Sequence, residues 1–310
     1  MAEIIEGLGG MGWLPDLPDF RHFTPETDVV LDRHRRFGQT DSIKAMLKKL
    51  GAGDPVGTLP PSVDLRPWCS PVENQSPLNS CTAHAGVGLV EYFERRAFGT
   101  WIDASRLFLY KVTRDLLFIT TDIGATLSAT MGGMVLFGVP PEKYWPYVPA
   151  NVNVEPSAFL YAFAQNYQAI QYYRYDPPGT PTDVLLQRIK TYLAAGLPCM
   201  FGFAVYSSFS QAATTGKIPF PTPAEGNPRG HAVDAVGYDD AIKIKNSNPG
   251  GVETTGALLI RNSWGTAWGP LGGYLWLPYQ YVLKGLAVDW WSLLKNEWVA
   301  TKQFGLATTP

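Results

Sequence analysis

The chain has 310 residues and a formal net charge of −2, from 25 basic and 27 acidic side chains. That balance, with no block of like charges, excludes the electrostatic footprint of a nucleic-acid partner or an anionic membrane surface. Hydrophobic residues make up 45%, enough for a sizeable core in one large domain or two lobes. The three cysteines cannot form a disulfide framework, and none stands at metal-ligand spacing from the four histidines.

Residues 1–60 differ from the rest in being rich in Gly, Pro and charge. The opening MAEIIEGLGGMGWLPDLPDF carries acids where an export signal needs a basic region, so no signal peptide is read and a cytoplasmic, reducing location is expected. A short helical signal runs over 40–47, with Thr40 or Asp41 as its cap, Ile43, Leu47 and Leu50 on one face and Gly51 as its end. Pro55, Pro60 and Pro61 then mark a boundary. From Cys81, Ala83, Val87, Val90 and Phe93 recur at helical spacing, with Arg95 and Arg96 in the last turn and Gly99 closing the pattern. Asn79 and Ser80 can cap this helix.

Further helices are expected at 105–116, 126–138, 157–167 and 182–195, the last capped by Thr182. An uncharged run at 192–209 reads as a helix end followed by a buried strand rather than a membrane span, because Gly196, Pro198 and Gly202 interrupt it. Short apolar runs at 199–206, 231–238, 241–245, 257–262 and 274–277 read as strands. The fold class is therefore α+β, with a helical lobe near 70–155, a β lobe near 156–310 and a cleft between them as the favoured place for a site. The tryptophan-rich stretch after 285 is expected to pack as a helix or strand.

The segment NQSPLNSCTAHAG sets Cys81 in the first turn of its helix. Unpaired backbone N–H groups and the positive end of the helix dipole favour a thiolate there. Cys69 and Cys199 read as small buried residues. His22 and His34, among charged neighbours, read as solvated; His84, among small apolar residues, reads as structural. His231 is delivered by the loop IPFPTPAEGNPRG to the start of a strand, GHAVDAVGY, where a rigid element can aim its ring. The stretch LLIRNSWGTAWGPLGGYLWL adds Asn262 and two tryptophans at a strand end.

These three motifs, in this order, resemble the papain family of cysteine proteases over roughly residues 61–282. The resemblance implies a papain-like two-lobe fold, one lobe helical and one β-barrel-like, with Cys81 as nucleophile and His231 as its base. It makes Asn262 the orienter of His231, Trp264 the shield over that hydrogen bond, and Gln75 the oxyanion donor six positions before the nucleophile. PSVDLRP (61–67) is similar to the family's mature amino-terminal segment. DIGATLSATMGGMVLFGVPPEKYWPY is similar to the groove-lining segment of bacterial members.

Gly124 and Ala125 are then expected to hydrogen-bond an extended peptide, and Ala125, Gly202 and Ala232 to line an apolar pocket for a hydrophobic residue two positions before the scissile bond. The family pattern C-G-S/A-C-W/Y around the nucleophile reads Leu78-Asn79-Ser80-Cys81-Thr82, without the disulfide-forming cysteine and the following aromatic. The expected activity is peptide-bond hydrolysis by a thiolate–imidazolium pair through a thioester, on peptide or protein substrates, with no metal or cofactor. Residues 1–60 are expected to be a short pro-segment over the cleft, with a tail or packed extension as the alternative. The rival functions are a non-catalytic peptide-binding homologue and an acyltransferase or peptide ligase using the same thioester.

Overall fold

A computed structural model describes residues 11–35, 40–53, 58–169 and 171–294. Pro55, residues 1–10 of the N-terminal segment and residues 295–310 of the tail lie outside the described residues. The elements run α1 (Asp32–Arg35), α2 (Ile43–Lys49), β1 (Ser62–Asp64), α3 (Cys81–Phe98), α4 (Arg106–Leu116), α5 (Leu127–Leu136), α6 (Ala158–Ala164), β2 (Tyr172–Arg174) and α7 (Thr182–Ala194). They continue as β3 (Cys199–Val205), α8 (Ala212–Thr215), β4 (Arg229–Lys245), β5 (Glu253–Arg261), β6 (Tyr274–Pro278), α9 (Gln280–Leu283) and β7 (Ala287–Leu293). No helix among the described residues is long and apolar enough to cross a membrane.

Local chemistry explains several helix ends. Ser105, Thr126 and Ser157 each accept a backbone N–H two or three residues into α4, α5 and α6, satisfying donors the first turn leaves free. α3 ends at Gly99 in the left-handed conformation, φ 71°. Two expected caps differ. Ser42, not Thr40 or Asp41, caps α2 by accepting from Ala45 N–H at 3.1 Å, because it stands directly before the first helical residue. α7 begins at Thr182 itself, after Pro181, and the Thr182 hydroxyl instead donates to the Leu283 carbonyl at 3.2 Å.

The strands form one antiparallel sheet in the order β2-β7-β3-β4-β5-β6, with β1 added to β4. β4 is the backbone of the sheet: its first half pairs with β3 and its second with β1, while β5 runs along most of its length. The two runs expected at 231–238 and 241–245 are this single strand, with an irregularity in its pairing to β5 between Asp239 and Lys243. α3 packs on β4, α4 and α5, and is buried on nearly every side from Cys81 to Phe93. The tryptophan-rich tail supplies β7, whose Trp290 and Trp291 are fully buried.

A buried ionic network fastens these layers. Arg261 on β5 faces Asp234 on β4 at 3.7 Å and donates to Ser70 Oγ at 3.0 Å, and Ser70 donates to Glu91 on α3. Glycine at position 88 is what admits it: a Cβ there would lie 2.2 Å from Arg261 Nη1 and 2.4 Å from Asp234 Oδ2. Both groups are buried and paired, so neither can yield without stranding a charge. Gly88→Ala is accordingly expected to destabilise the fold by roughly 1–3 kcal/mol, read as a lowered midpoint in denaturant; an unchanged midpoint would show that the network accommodates the methyl.

The N-terminal segment is part of the packed structure. α2 buries Ile43, Met46 and Leu47, and Phe23 O accepts the Arg174 N–H at 2.8 Å. His22 and His34 are not solvated as expected: His34 is 6% exposed, and His22 meets the Trp291 ring edge-on at 4.7 Å. Arg21, Asp32 and Arg35 beside them are exposed, while the two rings pack inward, His22 on Trp291 and His34 on Phe23.

Candidate active site

Cys81 opens α3, and its sulfur accepts the Ala232 N–H of β4 at 3.3 Å. Residues 81 and 231–232, far apart along the chain, thus meet where the first turn of α3 abuts the start of β4. Ser80 occupies the N-cap position without capping; its hydroxyl instead pairs with Tyr147 at 2.6 Å. Within α3 the Cys81 and Thr82 N–H groups reach the sulfur, while those of Ala83 and His84 donate to Ser80 O.

The His231 ring donates Nε2–H to Asn262 Oδ1 at 2.7 Å. This assignment follows from the carbonyl end of the amide being an acceptor, and leaves Nδ1 as the free ring nitrogen. Nδ1 is buried and has no hydrogen-bond partner among the described residues. Trp264 stacks on the ring with centroids 5.1 Å apart and an interplanar angle of 27°, covering the imidazole and its bond to Asn262. Phe209 and Trp268 hold Trp264 by edge-to-face contacts.

Gln75 is drawn to the same place by backbone and side chain. Its N–H donates to Ser263 O at 2.8 Å, and its Oε1 accepts from Ser263 Oγ at 2.6 Å. Those bonds turn Nε2 inward, where it donates to Leu78 O at 2.7 Å and reaches Met11 O at 3.4 Å. Thr82, standing where an aromatic was expected, is fully buried.

The N-terminal segment runs directly over this cluster. Gly12 and Trp13 N–H groups face Gly230 O at 3.2 and 3.4 Å, Leu14 N–H donates to Ala125 O at 2.9 Å, and Ala125 N–H donates to Gly12 O at 2.8 Å. Trp13 pairs with Ala125 as a single parallel β-bridge. Gly124 and Ala125 thus lie alongside extended main chain, here the protein's own. The indole of Trp13 lies flush on Gly202, where a Cβ would sit 2.0 Å from Trp13 Cε2. Ala232 stands opposite Gly202 in the β3–β4 register.

The surroundings of the indole are not wholly apolar. Trp13 Nε1–H donates to Asp289 Oδ2 at 3.2 Å, the same oxygen accepts the Asp16 N–H at 2.9 Å, and Arg174 donates to Asp289 Oδ1 at 2.6 Å. Asp289 has φ 58° and lies where the β3–β7 register slips, a bulge that aims its side chain at the Trp13 indole. Sequence reasoning missed this residue. The one available signal was an acid inside the apolar run AVDWWSLL.

Burial sets the protonation of the cluster. It pushes the Cys81 thiol up to about 12, against the smaller opposing pull of the Ala232, Thr82, Cys81 and Trp13 N–H groups. Burial likewise takes His231 down to about 4, opposed by its bond to Asn262. Under the segment, therefore, the expected ion pair is replaced by a neutral thiol beside a neutral imidazole. Desolvation also raises Asp289 to about 6, helped by the charge of Asp16 and opposed by Asp16 N–H and Arg174.

Comparison with known proteins agrees with this architecture. The family described as "Papain family cysteine protease" matches residues 59–284. An uncharacterized peptidase C1-like protein of Acanthamoeba polyphaga mimivirus is 34% identical over 224 residues, 70% of this chain and 68% of that protein. The crystal structure of xylellain, a cysteine protease from Xylella fastidiosa, superposes with a TM-score of 0.68 at 31% identity, covering 92% of this chain and 96% of that one. Bromelain of Ananas comosus shares the fold alone, at 19% identity and a TM-score of 0.53 over 76% of this chain and 99% of its own. With the α+β architecture and a family match over more than half its length, the chain belongs to the papain family of cysteine proteases and is a papain-like cysteine peptidase.

Proposed function

We propose that the chain is a cysteine endopeptidase held latent by its own N-terminal segment. The observation that carries this is the set of main-chain hydrogen bonds from residues 12–14 to Gly230 and Ala125 directly over Cys81 and His231. Extended main chain is what an endopeptidase cleft must bind, and strand-like pairing is an economical way to bind it without regard to side chains.

Once the segment leaves and water returns, the penalty on charge falls and the proton of Cys81 can pass to His231 Nδ1. The thiolate attacks the scissile carbonyl, forming a C–S bond. Negative charge that develops on the carbonyl oxygen is met by the Cys81 N–H and by Gln75 Nε2–H, freed from Met11 O. His231 then gives its proton to the leaving amine as the C–N bond breaks, and water hydrolyses the thioester with His231 again as base. Asn262 keeps Nε2–H engaged, so that Nδ1 remains the nitrogen free to take the thiol proton.

The Trp13 site supports a substrate preference. Flat contact with Gly202 suits a large aromatic or apolar side chain, while Asp289 rewards one bearing an N–H or O–H donor. Its charge is already matched by Arg174, so the pocket has less to offer a lysine or arginine.

The direct test is the pH dependence of Cys81 alkylation by iodoacetamide in the full-length chain, mapped by mass spectrometry. With the thiol near 12, labelling at pH 7 is expected to be slow and to climb steadily with pH. Fast, pH-independent labelling of Cys81 near neutrality would refute latency, and faster labelling of Cys69 or Cys199 than of Cys81 once the segment is displaced by Trp13→Gly would refute the site. Burial also raises both of those thiols, Cys69 to about 11.

A further inference from the structure

A second set of buried polar groups lies behind the cluster, on the side of Asn262 away from His231. His84, one turn after Cys81 on α3, is 3% exposed and donates Nδ1–H to Ser80 O at 3.0 Å. A carbonyl only accepts, so Nδ1 carries the proton and Nε2 is left as an acceptor. Burial, joined by the Arg106 charge, takes this ring down to about 3 and keeps it neutral. Nε2 of His84 and Nδ2 of Asn262 are both buried and without a hydrogen-bond partner among the described residues. Both side chains line one cavity of about 10 Å3, whose walls also include Glu73, Glu91, Arg106 and Arg261.

A donor and an acceptor, each unsatisfied and facing one space of about a single water's size, define a water site. We infer that one ordered water bridges Asn262 Nδ2–H to His84 Nε2, making His84 a positioning residue for the His231–Asn262 pair. The oxygen and nitrogen ends of an asparagine amide are nearly equal in shape, so their partners decide which end faces which way. On the His231 side an acceptor is required. The water, taking the Nδ2 proton and giving its own to His84, rewards the same orientation from behind. A hydrophobic residue at position 84 would leave the Nδ2 donor stranded, and the flipped amide would then set a donor against His231 Nε2–H.

This inference rests on the proposed role of Asn262, and its test separates the two. A high-resolution crystal structure of the full-length chain is expected to show one water within hydrogen-bond reach of His84 Nε2 and Asn262 Nδ2. A dry cavity, or a direct bond between the two side chains, overturns it. Kinetics are then compared in full-length chains carrying Trp13→Gly. His84→Phe is expected to lower kcat roughly tenfold with KM unchanged, about the size of one buried hydrogen bond lost. His84→Gln, whose Oε1 can accept, should recover most of that loss. His84→Phe added to Asn262→Ala should cost nothing further; an additive loss, with melting temperatures falling in parallel, would mark His84 as merely structural. If Asn262→Ala itself leaves kcat unchanged, the role assigned to Asn262 fails while the water site still stands or falls by the crystal structure.

Discussion

Trp13→Gly in the full-length chain is expected to raise both peptide hydrolysis and Cys81 alkylation at neutral pH by about 100-fold or more. Trp13 is 8% exposed, and truncating a buried aromatic removes roughly 3–5 kcal/mol of contact. The main-chain bonds of residues 12–14 remain, but one bridge of backbone pairing is marginal without an anchoring side chain. About 3 kcal/mol taken from the closed form multiplies the open fraction by roughly 150. The gain in alkylation has a second source: in the open form the sulfur is wet, so its thiolate fraction near pH 7 rises as well. Equal rates for the two chains, on peptide and on iodoacetamide alike, would mean that the segment does not govern access.

Cys81→Ser and His231→Ala, each made in the Trp13→Gly chain, are expected to lower kcat/KM by at least about 10⁴-fold, because the pair acts as a unit. The double change should be scarcely worse than either single one, since a base without a nucleophile, or the reverse, contributes little. What persists should come from Gln75 and the backbone donors. Retention of substantial hydrolysis by Cys81→Ser, with the folded state verified by circular dichroism, would remove Cys81 from the mechanism. Full additivity of the two losses would mean that Cys81 and His231 do not work through each other.

Much of this molecule is written locally. α3 was legible because its apolar spacing, its basic last turn and Gly99 all report on neighbours within a few residues. The strands carrying His231 and Asn262 were legible because buried strands are apolar runs between turns. Other features depend on partners that sequence cannot bring together. Asp289 acquires meaning only when the fold sets Arg174, Asp176 and Trp13 against it. The pairing of residues 12–14 with Gly230 and Ala125 is carried by peptide groups, which every residue possesses, so composition alone offered only a distinct N-terminal segment. β1 and β2 have three residues each, too few for an alternation to register. Ser42 over Thr40 and Asp41 was a choice among three good caps, decided by where the helix turn actually begins. The solvated reading of His22 and His34 failed because charge nearby in sequence says little about which way a ring turns.

The covering of Cys81 by Trp13 bears on durability as well as on access. Oxidation of a cysteine to sulfenic acid and beyond proceeds from the thiolate and needs room for peroxide to approach. A protonated sulfur beneath the main chain of the N-terminal segment offers neither. The covered protein should therefore survive peroxide with its sulfur intact, and the uncovered one should age quickly, so that the lifetime of the catalyst would be counted from the moment of its exposure.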